Sequence, residues 1–305
     1  MPQFLSGIAS LVPRFDGFIL DLWGVLHDGT HPYPGAIEAL AKLRAEGKKI
    51  ILLSNAPRRA AAVEKVLQTI GFSSTHYDAL VTSGDTARDW LLASRPYGLR
   101  YCYIGPEKDR HLLEGADYRE VSSATEADFA LVTGFNEFGD GMETKLPQVR
   151  ESLAAKLPMI CTNPDRLVVK QDGREMLCAG LLAEWYEAHG GHVDWFGKPY
   201  RRVYEHCFAL FRDWGLGVEE GSGAPRNPHH PSSIIHHPIL AIGDSLHTDI
   251  AGARGAGITC VLVAGGILAE PLDVKPGELP DPDCLARLCA AEGTDPDIVI
   301  PAFRW

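Results

Sequence analysis

The stretch that decides the fold is Phe18-Ile19-Leu20-Asp21-Leu22-Trp23-Gly24-Val25-Leu26. Its first three residues form a short apolar run, which is typical of a buried parallel strand. Asp21 ends this run, and open α/β sheets bind their ligands at the carboxyl ends of strands. A carboxylate in that position can attack phosphorus as a nucleophile. A second acid two residues later could protonate the leaving group, but Trp23 occupies that position.

The composition is that of an ordinary soluble protein, with 305 residues, 45% of them hydrophobic and 23% charged. This length predicts two domains. The formal net charge of −11 argues against a nucleic-acid partner, because phosphate backbones need clustered Lys and Arg. No apolar run approaches the roughly 20 residues of a membrane helix, so no membrane partner is expected. The seven scattered cysteines lack a CxxC pair, which predicts a reducing, cytoplasmic location.

Apolar runs of strand length alternate with helical segments along most of the chain. A helix is predicted over 34–46, ending at Gly47. This alternation indicates an α/β fold with βαβ units and a doubly wound parallel sheet. A segment rich in Gly, Pro, Ser and His, 219–238, is predicted to be a long surface loop. The predicted strands are 18–20, 49–53, 101–104, 130–133, 159–162, 193–196, 239–242 and 259–263.

Four polar clusters follow these predicted strands. Asp21 is the first, and Ser54-Asn55 is the second, with a hydroxyl and an amide that could hold phosphoryl oxygens. The third is Gly197-Lys198-Pro199, whose ammonium could neutralise an attacking carboxylate and a phosphoryl group. In the fourth, Asp244 and Asp249 could converge on one hard cation such as Mg²⁺. Each cluster alone could equally be a helix cap, a turn or a set of solvated side chains.

The order of these residues resembles the four motifs of the haloacid dehalogenase-like hydrolase superfamily, and more narrowly its subfamily IIA. The resemblance implies a phosphatase of small phosphomonoesters, of the sugar phosphate or nucleotide class, with Mg²⁺ as cofactor. It also implies a Rossmann-like core over 1–84 and 195–305. An α/β cap domain over 85–194 would be inserted into this core and set the substrate specificity. Further matching stretches are Gly29, 34–36, 162–165 and 252–257.

The resemblance implies a catalytic role for each matching residue. Asp21 would be the nucleophile and form an aspartyl-phosphate, which water then hydrolyses. Ser54 and Asn55 would bind the phosphoryl group. Lys198 would bind it as well, and would position and neutralise the nucleophile. Contacts from the cap to the substrate are expected from 136–138 or 163–165, although both stretches could equally be turns.

The resemblance also implies a metal site. Mg²⁺ would be held by the carboxylates of Asp21 and Asp244. Asp249 would be either a further ligand or a hydrogen-bond acceptor in the second layer of residues around the metal. The residue two positions after the nucleophile contributes its backbone carbonyl in this family. Trp23 can do so as well as an aspartate can. We therefore expect the metal site to be retained.

The chain departs from the family pattern at the side chain of position 23. The family normally has an aspartate there, which protonates the leaving group, whereas this chain has Trp23. Indole has no transferable proton at neutral pH, and general acid–base catalysis is typically worth about 10²–10⁴-fold. His27, Asp28 and His247 are the candidates for a replacement. The side chain of Trp23 could alternatively be a packing residue that closes the pocket.

Three other functions stay open at this point. A catalytically impaired protein could bind a phosphorylated ligand and regulate without turnover, and Trp23 favours this alternative. A phosphoacceptor switch like a response regulator would use Asp21 to store phosphate, but the large insertion argues against it. A dehalogenase would need no acid at position 23, but the paired Asp244 and Asp249 point to a metal. The expected partner is a small phosphorylated metabolite, with a homodimer as one open assembly state.

Overall fold

The structure is a computed structural model that describes residues 2–136, 139–169, 174–217, 238–275 and 277–305. Residues 219–237 of the predicted loop, and residues 137 and 138 of one predicted cap contact, lie outside the described residues. The chain divides into two units. The first consists of 1–54, 66–80 and 199–305, and the second of 55–65 and 81–198. The predicted division into a core and a cap over 85–194 stays a prediction.

Strands and helices alternate along most of the described chain. The strands are β1 (Gln3–Phe4), β2 (Gly17–Asp21), β3 (Lys49–Ser54), β4 (Ala79–Thr82), β5 (Arg100–Ile104), β6 (Arg119–Glu120), β7 (Phe129–Val132), β8 (Met159–Cys161), β9 (Leu167–Val169), β10 (Glu175–Leu177), β11 (Val193–Trp195), β12 (Ile239–Gly243), β13 (Thr259–Val263) and β14 (Ile298–Ile300). The helices are α1 (Ala36–Ala45), α2 (Ala60–Thr69), α3 (Ser83–Ser94), α4 (Leu146–Ala154), α5 (Ala179–Ala188), α6 (Arg201–Asp213), α7 (Ala251–Gly255) and α8 (Pro282–Glu292). Short 3-10 turns lie at Val12–Arg14, Ser74–His76, Glu107–Leu113, Ala124–Glu126 and Met142–Thr144, and a π-helical turn lies at Leu246–Ile250.

A seven-stranded sheet, in the order β1-β14-β13-β12-β2-β3-β4, is the basis of the first unit. The neighbouring strands from β1 to β3 in this order all pair in parallel. Strands β2, β3 and β12 are buried along nearly their whole length, as expected of a parallel sheet covered on both faces. This confirms the predicted doubly wound α/β fold class.

Helix α1 ends where the sequence predicted it. Gly47 has a φ of +71° and donates a hydrogen bond of 3.0 Å to the carbonyl of Arg44. Lys48 donates to the carbonyl of Leu43, also at 3.0 Å. A left-handed residue at this position is favourable for glycine, and it turns the chain from α1 into β3.

The second unit has its own parallel sheet, in the order β11-β8-β7-β5-β6, and a separate antiparallel pair of β9 and β10. Alternate residues of its strands face opposite sides. Ile104 and Val132 belong to one hydrophobic cluster with residues of α4 and α5. Tyr103 and Leu131 belong to another cluster with residues of α3. The sheet is therefore covered by helices on both faces.

The eight predicted strands are all present, each within one residue of its predicted ends. They are divided between the two parallel sheets. In the part of the chain that the structure describes, no helix is long and apolar enough to cross a membrane.

Candidate active site

Three neighbouring strands of the first sheet have a polar residue as their last residue or directly after it. The strands are β12, β2 and β3, which are adjacent in that order. Asp21 is the last residue of β2 and pairs with Leu53 of β3, one residue before Ser54. Asp244 follows the last residue of β12. Because the strands are parallel, the three polar residues lie at the same edge of the sheet.

The carboxylates of Asp21, Asp244 and Asp249 form one cluster. Ligand atoms of the three side chains all lie within 4.8 Å of one another. Asp244 is 5% exposed and Asp249 is 6% exposed. Three neighbouring carboxylates repel each other, and a bound cation would relieve that repulsion. A donor set made only of oxygens fits a hard cation such as Mg²⁺.

Backbone N–H groups fix the orientation of two of these carboxylates. Oδ2 of Asp244 accepts a hydrogen bond of 2.7 Å from the N–H of Ile267. Oδ2 of Asp249 accepts two more, from the N–H groups of Asp244 at 3.2 Å and Ser245 at 3.1 Å. The cluster is therefore held in place by the polypeptide itself.

Glycines allow the backbone to approach the carboxylates closely. A Cβ atom at Gly24 or at Gly266 would overlap the carboxylate of Asp244, and one at Gly243 would overlap that of Asp249. Gly24 also has a φ of +82°, which side-chain-bearing residues rarely adopt. A larger residue at these positions would displace the carboxylates.

The loop after Asp21 is folded around the indole of Trp23. The ring lies so close to Gly29 that a Cβ atom there would overlap it. Gly29 has a φ of +91°. The ring of His27 meets the indole edge to face, with 5.8 Å between the ring centroids. The Gly24 N–H donates to the His27 carbonyl at 3.0 Å. The indole thus packs in a defined niche within the loop after Asp21.

His27 is poorly suited to act as a general acid. It is 6% exposed, and its Nδ1 accepts a hydrogen bond of 2.8 Å from the N–H of Gly29. Burial lowers its pKa to about 4, with a smaller opposing effect of Asp28. The imidazole is therefore neutral at pH 7.

Of the two other candidates for a replacement acid, Asp28 is engaged within the loop and His247 is exposed. Oδ1 of Asp28 accepts hydrogen bonds from the N–H and hydroxyl of Thr30 and from the N–H of His31. Burial raises the pKa of Asp28, but these hydrogen bonds bring it below its ordinary value, so the carboxyl group is ionised at neutral pH. His247 is exposed, and its Nδ1 lies 3.9 Å from the carboxylate of Glu292 on α8.

Asn55 and Lys198 are joined directly, within the second unit. Oδ1 of Asn55 accepts a hydrogen bond of 2.7 Å from the N–H of Lys198. Its Nδ2 donates to the carbonyl of Lys198 at 3.1 Å and to Oδ1 of Asp165 at 2.8 Å. Both amide hydrogens are thus engaged. The side chain of Asn55 positions Lys198 in this structure, and the predicted phosphoryl contact from its amide is not supported.

A glycine makes this network possible. Gly197 has a φ of +110°, and a Cβ atom there would lie 2.6 Å from Oδ1 of Asn55 and 2.8 Å from Cδ of Pro164. Lys198, the next residue, is only 3% exposed. In the sequence, the network was visible only as separate short motifs, because Asn55 and Lys198 are 143 residues apart.

The predicted site residues are distributed over both units. Asp21, Ser54, Asp244 and Asp249 belong to the first unit, which brings the three carboxylates together. Asn55 and Lys198 belong to the second.

The second stretch predicted to contact the substrate, 163–165, forms a turn in the second unit. Oδ1 of Asn163 accepts a hydrogen bond of 3.1 Å from the N–H of Asp165. Asn163 itself is 8% exposed. Because Asp165 also accepts from Asn55, this turn has a structural role beside any contact with a substrate.

Comparison with family models and with a solved structure identifies haloacid dehalogenase-like hydrolases in each case. Residues 18–119 match a family model for a haloacid dehalogenase-like hydrolase, and residues 195–290 match a second, HAD-hydrolase-like model. A crystal structure of a haloacid dehalogenase-like hydrolase from Brucella suis is similar, with a TM-score of 0.78, 30% identity and coverage of 99% of this chain and 100% of that one.

Two relatives are phosphatases by name. A D-glycerol 3-phosphate phosphatase of Mycobacterium tuberculosis is 25% identical over 85% of this chain. The aligned region spans 65% of that relative's length, which is just under two thirds. The sugar-phosphatase AraL of Bacillus subtilis is 27% identical over 82% of this chain and 83% of its own length.

Proposed function

This chain belongs to the haloacid dehalogenase-like hydrolase family, and we propose that it is a phosphatase with Asp21 as its nucleophile. Its substrate is a small phosphomonoester, of the sugar phosphate or nucleotide class, and its cofactor is Mg²⁺. The names of the relatives support a phosphorylated small molecule as the substrate class.

The observation that carries the proposal is the cluster of Asp21, Asp244 and Asp249. Their ligand atoms lie within 4.8 Å of one another at the carboxyl edge of a parallel sheet. Asp244 and Asp249 are buried and oriented by backbone N–H groups. Such a site suits a divalent cation with oxygen ligands. Asp21, Asp244 and Asp249 would hold Mg²⁺ together with the backbone carbonyl of Trp23.

In the first chemical step, Asp21 attacks phosphorus, the bond from phosphorus to the leaving oxygen breaks, and an aspartyl-phosphate forms, which water hydrolyses in the second step. A bound Mg²⁺ supplies positive charge that offsets the negative charge of the phosphoryl oxygens. The hydroxyl of Ser54, at the end of the neighbouring strand β3, donates to a phosphoryl oxygen. Lys198 contributes a positive charge, and Asn55 holds its backbone in place. Phosphoryl transfer depends largely on such positioning and charge stabilisation.

The side chain of Trp23 sets this protein apart from the usual family pattern. Its indole provides no transferable proton, and the niche formed by Gly29 and His27 holds it in place. Trp23 thus occupies the position of the usual general acid without replacing its function, and its indole forms one wall of the nucleophile loop.

The experiment that tests this proposal measures Mg²⁺-dependent release of p-nitrophenol from p-nitrophenyl phosphate. We expect activity that EDTA abolishes and Mg²⁺ restores, and that Asp21→Asn abolishes. Asp16→Asn serves as a matched control, since Asp16 is also an aspartate near strand β2 but lies at the opposite end of that strand. Activity that persists in Asp21→Asn would rule out this nucleophile.

The second candidate function is a protein that binds a phosphorylated ligand without turnover. The observation that favours it is Trp23 in the position of the general acid. Such a protein would be stabilised by Mg²⁺ and inorganic phosphate in a thermal unfolding experiment, yet release no p-nitrophenol. Turnover in the same preparation would exclude it.

A further inference from the structure

Trp23, His27 and Asp28 of the nucleophile loop offer no proton to a leaving group. The side chain of Trp23 has no acidic proton. Nδ1 of His27 accepts a hydrogen bond from Gly29, and Oδ1 of Asp28 accepts three from Thr30 and His31. Both side chains are therefore engaged in holding the loop together. A leaving group at this loop would depart without a proton from these residues.

The loop packs closely around the indole. Gly29 combines a φ of +91° with contact to the indole, so both its conformation and its lack of a side chain suit Trp23. His27 contacts the ring from its edge and is itself 6% exposed. The carboxylates of Asp21, Asp244 and Asp249 lie together beside the loop. A cluster that could hold a metal ion, next to a closely packed indole, fits an enzyme whose substrate needs no acid.

The basicity of the leaving oxygen decides whether an acid is needed. Carboxylic acids have a pKa of about 4 and phenols of about 10, whereas water and simple alcohols are far weaker acids. A carboxylate, enolate or phenolate can leave as an anion, whereas an alkoxide needs a proton in the transition state.

We propose that the physiological substrate of this site carries its phosphoryl group on an acidic oxygen, as an acyl, enol or aryl phosphate. This inference rests on the proposed phosphatase function, and it departs from the sugar phosphate or nucleotide class, whose phosphoryl groups lie mostly on alcohol oxygens. It disfavours the phosphates of simple alcohols.

The reaction balances without an added proton donor. An oxygen of the Asp21 carboxylate forms a bond to phosphorus, and the bond from phosphorus to the leaving oxygen breaks. The electron pair of the broken bond stays on the leaving oxygen, which departs as a carboxylate, enolate or phenolate. Water then attacks phosphorus, the bond to Asp21 breaks, and its electron pair returns to the carboxylate. The proton released by water passes to solvent or to a phosphate oxygen, giving inorganic phosphate.

The test compares kcat/KM for acetyl phosphate, a series of substituted phenyl phosphates and glycerol 3-phosphate, at a fixed Mg²⁺ concentration. We expect kcat/KM to fall steeply as the pKa of the leaving group rises. Glycerol 3-phosphate should be poorer than acetyl phosphate by at least about 10²-fold, the lower range of general acid catalysis. Equal values for the two compounds would overturn the inference.

Three variants of Trp23 separate proton donation from packing. Trp23→Asp introduces an acid and should raise the ratio of kcat/KM for glycerol 3-phosphate to kcat/KM for acetyl phosphate by about 10²-fold or more. The Asn side chain of Trp23→Asn has nearly the same size as the Asp side chain of Trp23→Asp but no acidic proton. Trp23→Asn should therefore not produce this gain. Trp23→Phe keeps an aromatic ring and should keep the steep dependence on leaving-group pKa. An equal gain in Trp23→Asn would contradict the inference.

The outcomes also separate this inference from the proposed function. Turnover that requires Asp21 but is independent of leaving-group pKa would overturn only the inference. If no phosphate of the series is hydrolysed with Mg²⁺, both the phosphatase function and the inference fail. A steep dependence of kcat/KM on leaving-group pKa in the native protein supports the inference even if Trp23→Asp does not fold.

Discussion

The backbone N–H of Ile267 donates a hydrogen bond of 2.7 Å to Oδ2 of Asp244. The loop after β13 thereby fixes a carboxylate that follows β12, the neighbouring strand. Asp249 is fixed in the same way by two backbone N–H groups. These contacts hold like charges close together, which is favourable once a cation binds between them. The first two predictions follow from this arrangement.

Replacing Asp244 by Asn should have opposite effects with and without metal. The amide oxygen can still accept the hydrogen bond from Ile267, but one of three neighbouring negative charges is removed. In EDTA, we therefore expect Asp244→Asn to unfold at a higher temperature than the native protein. With Mg²⁺, it should lose the stabilisation that binding gives the native protein. Thermal unfolding across a Mg²⁺ titration measures both effects.

The matched control for this variant is Glu278→Gln, which removes one negative charge at an exposed position. Its stabilisation by Mg²⁺ should equal that of the native protein. An unchanged Mg²⁺ affinity in Asp244→Asn would contradict the assignment of this residue as a ligand.

Replacing Gly24 by Ala should disrupt the metal site. The added Cβ atom would overlap the carboxylate of Asp244, and the φ of +82° is unfavourable for alanine. Gly47→Ala is the matched control, with a φ of +71° but no atom within 4 Å of the added Cβ. Both variants should lose about 1 kcal/mol of stability from backbone strain. Only Gly24→Ala should also lose Mg²⁺ affinity, measured by calorimetric titration.

Replacing Asn55 by Ala should destabilise the second unit. The N–H and carbonyl of Lys198 would lose their partner at a residue that is 3% exposed. A buried polar group without a partner costs about 1–3 kcal/mol, so we expect a loss of about 2 kcal/mol in urea denaturation. Asn136→Ala removes the same groups at an exposed position and should change stability by less than about 0.5 kcal/mol. A small effect in Asn55→Ala would indicate that solvent replaces the lost contacts.

Asp78 should contribute stability that depends on pH. Burial raises its pKa, but hydrogen bonds from the Ile50 N–H, Arg44 and Lys49 outweigh burial and bring the pKa below its ordinary value. A carboxyl group with a lowered pKa in the folded protein stabilises it above the unfolded pKa. This contribution is lost as the pH falls through the folded value, which lies below about 4.

The corresponding variant is Asp78→Asn, which should lower the free energy of unfolding at pH 7 by about 2 kcal/mol. The difference from the native protein should shrink as the pH is lowered below about 4. Glu38→Gln breaks an exposed pair with Lys42 and should cost no more than about 0.5 kcal/mol. A difference for Asp78→Asn that is constant from pH 7 to 3 would contradict this interpretation of Asp78.

Much of the fold could be predicted because local patterns and tertiary structure agree. The apolar runs before Asp21 and Ser54 are buried on both faces of the first sheet, and buried parallel strands are continuous apolar runs. Strand β14 was not predicted, since three apolar residues near the C-terminus carry no periodic signal. The sequence also did not show that the predicted strands divide between two sheets, because strand pairing is a long-range property.

The candidate site shows the same division. The resemblance to the family motifs implied that Asp21, Asp244 and Asp249 lie at one metal site, and the structure brings their carboxylates together. The role of Asn55 could not be predicted, because its partners Asp165 and Lys198 are 110 and 143 residues away. The niche of Trp23 depends on the backbone conformation at Gly29, which sequence alone does not specify.

The most direct test of the central claim is identification of the phosphorylated residue. The protein with Mg²⁺ would be mixed with acetyl phosphate that carries a radiolabel in its phosphoryl group, and the reaction would be quenched in acid within the first turnover. The protein would then be digested, and the labelled peptide would be identified by mass spectrometry. We predict that the label is bound to Asp21 as an acid-stable, base-labile acyl phosphate, and that Asp21→Asn carries none. Label on another residue, or turnover of acetyl phosphate by Asp21→Asn at the native rate, would contradict the account.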